Sequence, residues 1–338
     1  MKTFMKTALA GAIAMTLASP LAAKDIKLKM ATNAPGTSPY LAMTTMATIV
    51  NQALPDVNIQ VDATGAATKH MIEVAQGKLD MSMTAPIIYK FLKNGSVMYK
   101  KLPNAAELAE NLRLLYWFPL GQFHYVVYAD SDIKTPADIK GKKVFLGPPG
   151  GGAYNASARI MKFMAGYEAG KDYEPVNASW ASALQGFQDR QFDVYTAAGI
   201  APFPQLEQLS LTSKLRIIGL TKDEFNANEG MRAYINEHVG EEIGIIKAGI
   251  YGDGVVNKED TYTLAGLVGI TARADLDEDT VYRITKAYWE GAKEAMKTQP
   301  WLNSITLEGG VIDGGMKLHP GALRYYDEIG LEIPAGSR

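Results

Sequence analysis

The sequence of 338 residues contains no cysteine. This absence excludes disulfide bonds, cysteine-ligated metals and a lipid attached to an N-terminal cysteine. Histidine is scarce as well: His70, His124, His238 and His319 lie far apart and in no metal-ligand spacing. We therefore expect neither a metal site nor a cofactor, and we interpret the four histidines as surface or structural residues.

Clusters of one charge sign are also missing. The chain has 34 basic and 36 acidic residues and shows no basic face with interleaved aromatic residues, so we expect no nucleic-acid partner. The Gly-x-Ser-x-Gly motif of serine hydrolases, the P-loop and the dinucleotide fingerprint are absent. Because no catalytic constellation is visible, we predict that the protein is not an enzyme.

Long apolar runs are missing beyond the N-terminus. There, Lys2 and Lys6 precede a small and apolar run from Thr7 to Thr16, and the segment passes Pro20 before small residues that end at Ala23. This order is typical of a secretory signal peptide. The run is shorter than the about 20 apolar residues that span a bilayer, which disfavours the alternative of a retained membrane anchor. We predict a signal peptide over residues 1–23, cleavage near Ala23, and a free, monomeric protein in the periplasm.

Short strand-like runs alternate with helical patterns in the rest of the chain. Strands are predicted over Asp25–Ala31, Asn58–Ala63 and Leu79–Met83, with the helices Tyr40–Ala53 and Ala67–Gln76 between them. A second pattern of the same kind begins near residue 122, with a strand predicted over Phe123–Tyr128 and a short helix over Gln185–Asp189. This order of elements predicts an α/β fold.

The mature length of about 315 residues exceeds what one hydrophobic core comfortably supports. Together with the two similar β-α patterns, it predicts two lobes joined by short crossings. We assign residues 24–120 and 230–338 to lobe I and residues 121–229 to lobe II. The C-terminal part is more helical, with a helix predicted over Asp279–Thr298 and capped by Asp277 or Asp279.

Three loops join a strand to a helix and are rich in small residues: 33–40, 64–68 and 147–154. In the first loop, Ser38 is predicted to cap the helix and Pro39 to be its first residue. Free backbone N–H groups and the helix dipole make such junctions suited to an anion. Gly150, Gly151 and Gly152 in the third loop cost about 1 kcal/mol each in chain entropy, which favours a bed of N–H donors for a carboxylate. A plain tight turn remains the alternative, above all for the second loop.

Three segments carry a resemblance to a known family: the glycine-rich stretch Val144–Ala153, the region Asp193–Leu209 and the tail His319–Gly330. They resemble the substrate-binding proteins of TRAP transporters in the branch called TAXI, and the similarity extends from Lys29 to Gly330. The resemblance implies a two-lobed α/β fold of the periplasmic-binding-protein type (type II) with a central ligand cleft. It further implies capture of a small organic acid, as its carboxylate, and delivery to TRAP-type permease subunits in the membrane. A periplasmic ligand sensor and a secreted enzyme on the same fold are the alternatives.

The understood family members bind amino-dicarboxylates or keto-acids, and the resemblance carries their ligand contacts to fourteen positions of this sequence. These positions are Thr37, Tyr40, Gly65, Ala66, Thr68, Thr84, Pro86, Gly150, Gly151, Gly152, Ala153, Tyr154, Tyr195 and Thr196. The sequence departs from the family pattern over Pro35–Tyr40, Thr64–His70 and Thr84–Pro86, where several polar positions change together. The identity of the acid therefore stays open, and Lys69 is a candidate counter-charge by position only.

Overall fold

The computed structural model describes residues 25–338 apart from Gly36 and Gly65. The predicted signal peptide and its cleavage site near Ala23 lie outside these residues. The first elements are β1 (Ile26–Ala31), α1 (Ser38–Ala53), β2 (Val57–Asp62), α2 (Ala67–Ala75), β3 (Met81–Thr84), α3 (Pro86–Lys93), α4 (Ala105–Glu110), β4 (Leu112–Tyr128), β5 (Lys143–Phe145), α5 (Gly152–Ala165) and β6 (Glu174–Pro175). The later elements are α6 (Trp180–Gln188), β7 (Val194–Gly199), α7 (Pro204–Thr212), β8 (Leu215–Ile218), α8 (Lys222–Ala227), α9 (Glu229–Glu237), β9 (Glu241–Ile246), β10 (Thr261–Arg273), α10 (Glu278–Ala295), α11 (Leu307–Gly310) and α12 (Pro320–Glu328). Within the described ranges, no helix has both the length and the apolar character needed to cross a membrane.

The predicted order of elements at the start of the chain is confirmed, since β1, α1, β2, α2 and β3 lie within two residues of the expected bounds. The long helix α10 is confirmed as well, and Asp277 caps it by accepting the Thr280 N–H at 2.8 Å. At α1 the cap is Thr37 rather than the predicted Ser38, because the Thr37 Oγ1 accepts the Tyr40 N–H at 3.4 Å. The predicted cap therefore lies one residue too late.

Two elements of the second pattern are longer than predicted. The strand β4 begins at Leu112 rather than at Phe123, because its first half pairs with β10 before its second half pairs with β7. The helix α6 begins at Trp180 rather than at Gln185, because Ser179 caps it and its Oγ accepts a backbone N–H at 3.2 Å. The longer α6 places an indole ring at the start of the helix.

The ten described strands belong to one sheet, in the order β2-β1-β3-β10-β4-β7-β5-β6, with β8 beside β4 and β9 beside β10. The strand β1 pairs in parallel with β2 and β3, and β7 pairs in parallel with β5. The long strands β4 and β10 run antiparallel through the middle, from Leu112 beside Arg273 to Pro119 beside Leu267. These two strands carry the chain from one half of the sheet to the other.

Buried side chains form separate cores on the two halves of the sheet. One core draws on residues 28–118 and 268–333 and contains the stacked rings of Tyr116 and Tyr288, whose centroids are 4.7 Å apart. Two smaller cores lie on the other half, in residues 123–264, with Tyr125 in one and Phe187 in the other. The predicted α/β class is therefore confirmed, with separate cores on the two halves of the sheet.

We infer the bounds of the lobes from these cores: lobe I comprises residues 25–118 and 268–338, and lobe II comprises residues 123–264. The first crossing lies near the expected boundary at residue 120. We place the second crossing at residues 265–267, whereas the sequence predicts it at residue 230. The difference arises because Met231, Tyr234 and Leu264 pack in a core of the second half, and because β9 pairs with β10 over Thr261–Gly266.

Candidate functional site

A cavity of about 100 Å³ lies between the two lobes. Much of its wall is apolar, with contributions from Met83, Ile88, Phe123, Trp180 and Leu267. Ligand sites of this kind are concave, mostly apolar and often located between domains. An apolar cavity of about 150 Å³ holds a benzene molecule, so the present cavity suits a small and compact ligand.

Four helices begin at this cavity. The helices α1, α2 and α3 reach it from lobe I through Thr37, Ala67 and Pro86, and α5 reaches it from lobe II through Gly152. The first four N–H groups of a helix have no partner within the helix, and the helix dipole makes this end positive. The cavity therefore receives positive potential from the backbone of both lobes.

The four helix starts differ in how they are capped. The side chain of Thr37 caps α1. Among the described residues, no side chain caps α2, α3 or α5, whose cap positions are Ala66, Ala85 and Gly151. The first N–H groups of these three helices are thus left for water or for a ligand, and a carboxylate is a suitable acceptor for them.

The glycine-rich loop allows α5 to approach lobe I closely. Gly147 and Gly150 have positive φ angles of 118° and 72°, which other residues adopt only with strain. At Gly152, a Cβ atom would lie 2.8 Å from the Cδ1 atom of Ile88 in α3. The absence of a side chain at this position therefore lets the starts of α5 and α3 lie close to one another across the cavity.

Glu241 is the one ionisable side chain among the described lining residues. It begins β9 and is partly buried. The hydroxyl of Tyr234 donates to its Oε1 at 3.4 Å, and the Nη1 of Arg159 donates to that hydroxyl. Burial raises the pKa of Glu241 to about 7, while the charge of Arg159 and the hydrogen bond from Tyr234 lower it to a smaller extent. Near neutral pH the cavity therefore holds a carboxyl group that ionises reluctantly.

Seven of the fourteen predicted ligand-contact residues line the cavity: Thr37, Ala66, Thr68, Pro86, Gly151, Gly152 and Ala153. Gly65 lies outside the described residues. Six others are not among the described lining residues: Tyr40, Thr84, Gly150, Tyr154, Tyr195 and Thr196. The structure thus brings residues of all three predicted loops together at one cavity, and the ligand contacts themselves stay predictions.

Packing explains the positions of two of these six residues. The ring of Tyr195 stacks on Phe145 with centroids 5.6 Å apart, and its hydroxyl donates to the Gln205 Oε1 at 3.1 Å. Thr84 is fully buried, and its hydroxyl contacts the sulfur of Met71 at 3.2 Å. Both side chains are thus held by packing partners away from the described cavity lining.

The candidate counter-charge Lys69 lies outside the cavity. Its side chain is 74% exposed and pairs with Glu73 one helical turn later, with 3.4 Å between the Nζ and Oε1 atoms. The described lining residues include no lysine, arginine or histidine. Positive potential at the cavity therefore comes from backbone N–H groups.

Sequence reasoning missed the walls that come from distant parts of the chain. Phe123 of β4 and Leu267 of β10 line the cavity where these strands cross between the lobes, and Trp180 and Glu241 reach it from lobe II. No local pattern separates Glu241 from its exposed neighbour Glu242. Finding these residues requires the pairing of β4, β9 and β10, which joins segments far apart in sequence.

The histidines occupy structural positions. His70, His124 and His319 are buried. The Nε2 of His124 hydrogen-bonds to the hydroxyl of Tyr251 at 2.9 Å, and the Nδ1 of His319 accepts a backbone N–H at the start of α12 at 3.2 Å. In the part of the chain that the structure describes, no group of three or more metal-ligating side chains is assembled.

The sequence matches the NMT1-like family over residues 30–330. The chain belongs to this family. Its fold matches that of a protein from Bordetella bronchiseptica RB50, with a TM-score of 0.50 and 16% identity over 89% of this chain and 82% of that chain.

Two further solved structures are similar at lower TM-scores. One is the alkanesulfonate-binding protein from Xanthomonas axonopodis pv. citri bound to MOPS, at 16% identity, 92% and 82% coverage of the two chains and a TM-score of 0.44. The other is a TRAP periplasmic solute-binding protein from Sulfitobacter sp. NAS-14.1 with bound β-D-galacturonate, at 10% identity, 89% and 94% coverage and a TM-score of 0.46.

Proposed function

We propose that this protein is a periplasmic solute-binding protein that captures a small organic acid between its lobes and delivers it to a TRAP-type permease of the TAXI branch. One observation carries the proposal: three helix starts without side-chain caps, from both lobes, meet at one small apolar cavity. The resemblance of the glycine-rich loop and the C-terminal tail to TAXI proteins supports the choice of transporter. Export by a signal peptide remains part of the proposal.

The two parts of such a ligand fit two kinds of surface. Its carboxylate accepts hydrogen bonds from the first N–H groups of α2, α3 and α5, where the helix dipoles favour an anion. Its hydrocarbon part contacts apolar side chains such as Met83, Phe123 and Trp180. If closure of the lobes excludes water from the cavity, each charge-assisted hydrogen bond there is stronger than at an exposed surface.

Contacts from both lobes couple binding to closure. A ligand shifts a conformational equilibrium only by its different affinity for the two states. A carboxylate that touches α2 and α3 in lobe I and α5 in lobe II makes all of these contacts only when the lobes are closed. The closed surface is then the form that a permease can distinguish from the empty protein.

The side chains that line the interlobe cavity are the reason why we propose binding without catalysis. The one ionisable lining side chain among the described residues is that of Glu241, whose hydrogen-bond partner is Tyr234, and it forms no hydrogen-bonded pair with a nucleophile there. We therefore assign no catalytic role to the cavity.

Thermal unfolding of the mature chain, residues 24–338, tests the binding function. We expect at least one acid from a panel of short fatty, hydroxy, keto and aromatic acids to raise the melting temperature, because a ligand that binds the folded state stabilises it. The corresponding primary amides are matched neutral controls and should not do so. An unmoved melting temperature across the whole panel, or equal shifts with acids and amides, would contradict the proposal.

Transport is tested separately in the source organism. Deletion of the gene should abolish uptake of the acid that stabilises the purified protein. Normal uptake together with a lost transcriptional response to that acid would favour a sensor instead.

A further inference from the structure

The charges around the interlobe cavity have different origins and opposite signs. Positive potential comes from the helix starts, because the described lining residues include no lysine, arginine or histidine. The only carboxyl group among the described lining residues is that of Glu241. The cavity thus has one backbone pole that attracts an anion and one side-chain pole that repels it.

The cation that acts on Glu241 does not line the cavity. The Nη1 of Arg159 donates to the hydroxyl of Tyr234, and its guanidinium lies 4.9 Å from the centroid of the same ring. Tyr234 in turn donates to the Oε1 of Glu241 at 3.4 Å. Arg159 therefore acts on Glu241 through Tyr234 and is not among the described lining residues.

Burial acts on Glu241 more strongly than this cation does. Its pKa is raised to about 7 by burial, even though Arg159 lowers it. In these surroundings even Glu241 resists ionisation. The same surroundings therefore offer no positive charge among the described lining residues to balance a second ligand carboxylate. Charges of the same sign repel more strongly where water is excluded.

A ligand with two carboxylates therefore fits poorly. The first carboxylate takes the N–H groups of the helix starts. The second would lie against apolar side chains such as Leu267 and Val268, or against Glu241, without a cation among the described lining residues. A ligand with one carboxylate and an apolar remainder avoids both the contact of a charge with apolar side chains and the repulsion by Glu241.

We propose that Glu241 is a specificity-determining residue, which restricts the cavity to monocarboxylates and rejects dicarboxylates. This inference rests on the proposed function, because it presumes that the helix starts hold a carboxylate. It differs from the amino-dicarboxylate ligands that the resemblance implies.

Calorimetric titration with matched acids tests the proposal. The straight-chain monocarboxylates from propionate to octanoate are compared with the α,ω-dicarboxylates of the same chain lengths, at about pH 8, where Glu241 is mostly ionised. The variant Glu241→Gln removes the charge and keeps an oxygen that accepts from Tyr234. The neighbouring exposed Glu242 provides the matched control, Glu242→Gln.

We expect the wild type to bind its best monocarboxylate at least about tenfold more tightly than the dicarboxylate of equal length. Glu241→Gln should reduce this ratio by about tenfold, chiefly through tighter binding of the dicarboxylate, and Glu242→Gln should leave the ratio unchanged. Equal affinities in the wild type, or a ratio that Glu241→Gln does not alter, would overturn the inference and leave the proposed function intact. If neither class of acid binds to the wild type, the proposed function fails and this inference fails with it.

Discussion

The two poles of the interlobe cavity differ in the source of their charge. The helix pole consists of the starts of α2, α3 and α5, at residues 66–68, 85–87 and 151–153, and its positive potential belongs to the backbone. The carboxyl pole is the side chain of Glu241 with its partner Tyr234. Backbone charge does not titrate and cannot be removed by a single substitution. A side-chain carboxyl does titrate, so we expect affinity to reside in the helix pole and selectivity in the carboxyl pole.

The largest effect is expected from a carboxylate built into the helix pole. Ala153→Asp places such a group at the second residue of α5, where it competes with the ligand for the N–H groups. We expect acid binding to weaken by about 100-fold or more, while the melting temperature of the empty protein rises slightly, since an acidic residue in the first turn stabilises a helix by about 0.3–1 kcal/mol. Calorimetry and thermal unfolding measure the two effects.

The neutral variant Ala153→Asn is the matched control for this experiment, because it adds similar volume without charge. It should retain more affinity than Ala153→Asp. Equal losses in the two variants would show that volume, and not charge, decides binding at the helix pole.

A smaller effect is expected from the close approach of the lobes. Gly152→Ala adds a methyl group 2.8 Å from the Ile88 Cδ1, so that either the Ile88 side chain, which lines the cavity, must turn or the start of α5 must shift. We expect binding of the acid to weaken by about tenfold, equal to about 1.4 kcal/mol. The control is Gly230→Ala in the first turn of α9, where the new Cβ would lie 3.4 Å from Phe163. Equal affinities of the two variants would contradict the role assigned to Gly152.

The carboxyl pole should make stability depend on pH. Because the pKa of Glu241 is raised to about 7 in the folded state, its contribution to stability is fully present below the pKa of the unfolded chain and is lost as pH rises through about 7. The variant Glu241→Gln has no carboxyl group at this position, so its stability does not fall in this way as pH rises. We expect the variant to gain about 1–3 kcal/mol relative to the wild type between pH 5 and pH 8.

Urea unfolding of the ligand-free protein across this pH range measures the difference. The variant Glu242→Gln, which changes an exposed carboxyl beside the cavity, is the control and should show no such gain. A difference between Glu241→Gln and the wild type that stays constant with pH would contradict the burial of Glu241.

The smallest effect is expected at a hydrogen bond between the lobes. The Oγ of Ser38 in α1 accepts the N–H of Ile200, which follows β7, at 2.9 Å. Ser38→Ala should speed release of the bound acid by about fivefold, because one hydrogen bond contributes about 1 kcal/mol to the closed state. Stopped-flow measurement of release tests this, with the exposed Thr48→Ala variant of the same helix as control. An unchanged release rate would show that this bond does not stabilise closure.

Local patterns predicted the first half of the fold because its signals are local. Alternation of apolar residues defined β1 and β2, and Ser38 with Pro39 marked the start of α1 to within one residue. The loops before α1, α2 and α5 are candidate anion sites in the sequence, with a plain turn as the alternative above all for the second loop, and residues of all three line one cavity. A helix that starts shortly after a strand can be predicted from the sequence, because the strand and the helix follow one another directly in the chain.

The return of the chain through lobe II was not predictable in the same way. The strand β9 pairs with β10 from Thr261 beside Ile246 to Gly266 beside Glu241, and this pairing places Glu241 at the cavity. Nothing in the segment 241–246 reveals its partner. The prediction that residues 230–264 belong to lobe I rests on local patterns alone, and local patterns do not identify Glu241 as a lining residue.

The central claim is that a carboxylate binds at the helix pole, and backbone amide NMR tests it most directly. Addition of the acid that stabilises the mature protein should shift the amide protons of Ala67, Thr68, Gly152 and Ala153 downfield, because these N–H groups then donate to an anion. The corresponding amide compound should leave them in place. Acid binding that leaves all four signals unmoved would contradict the claim.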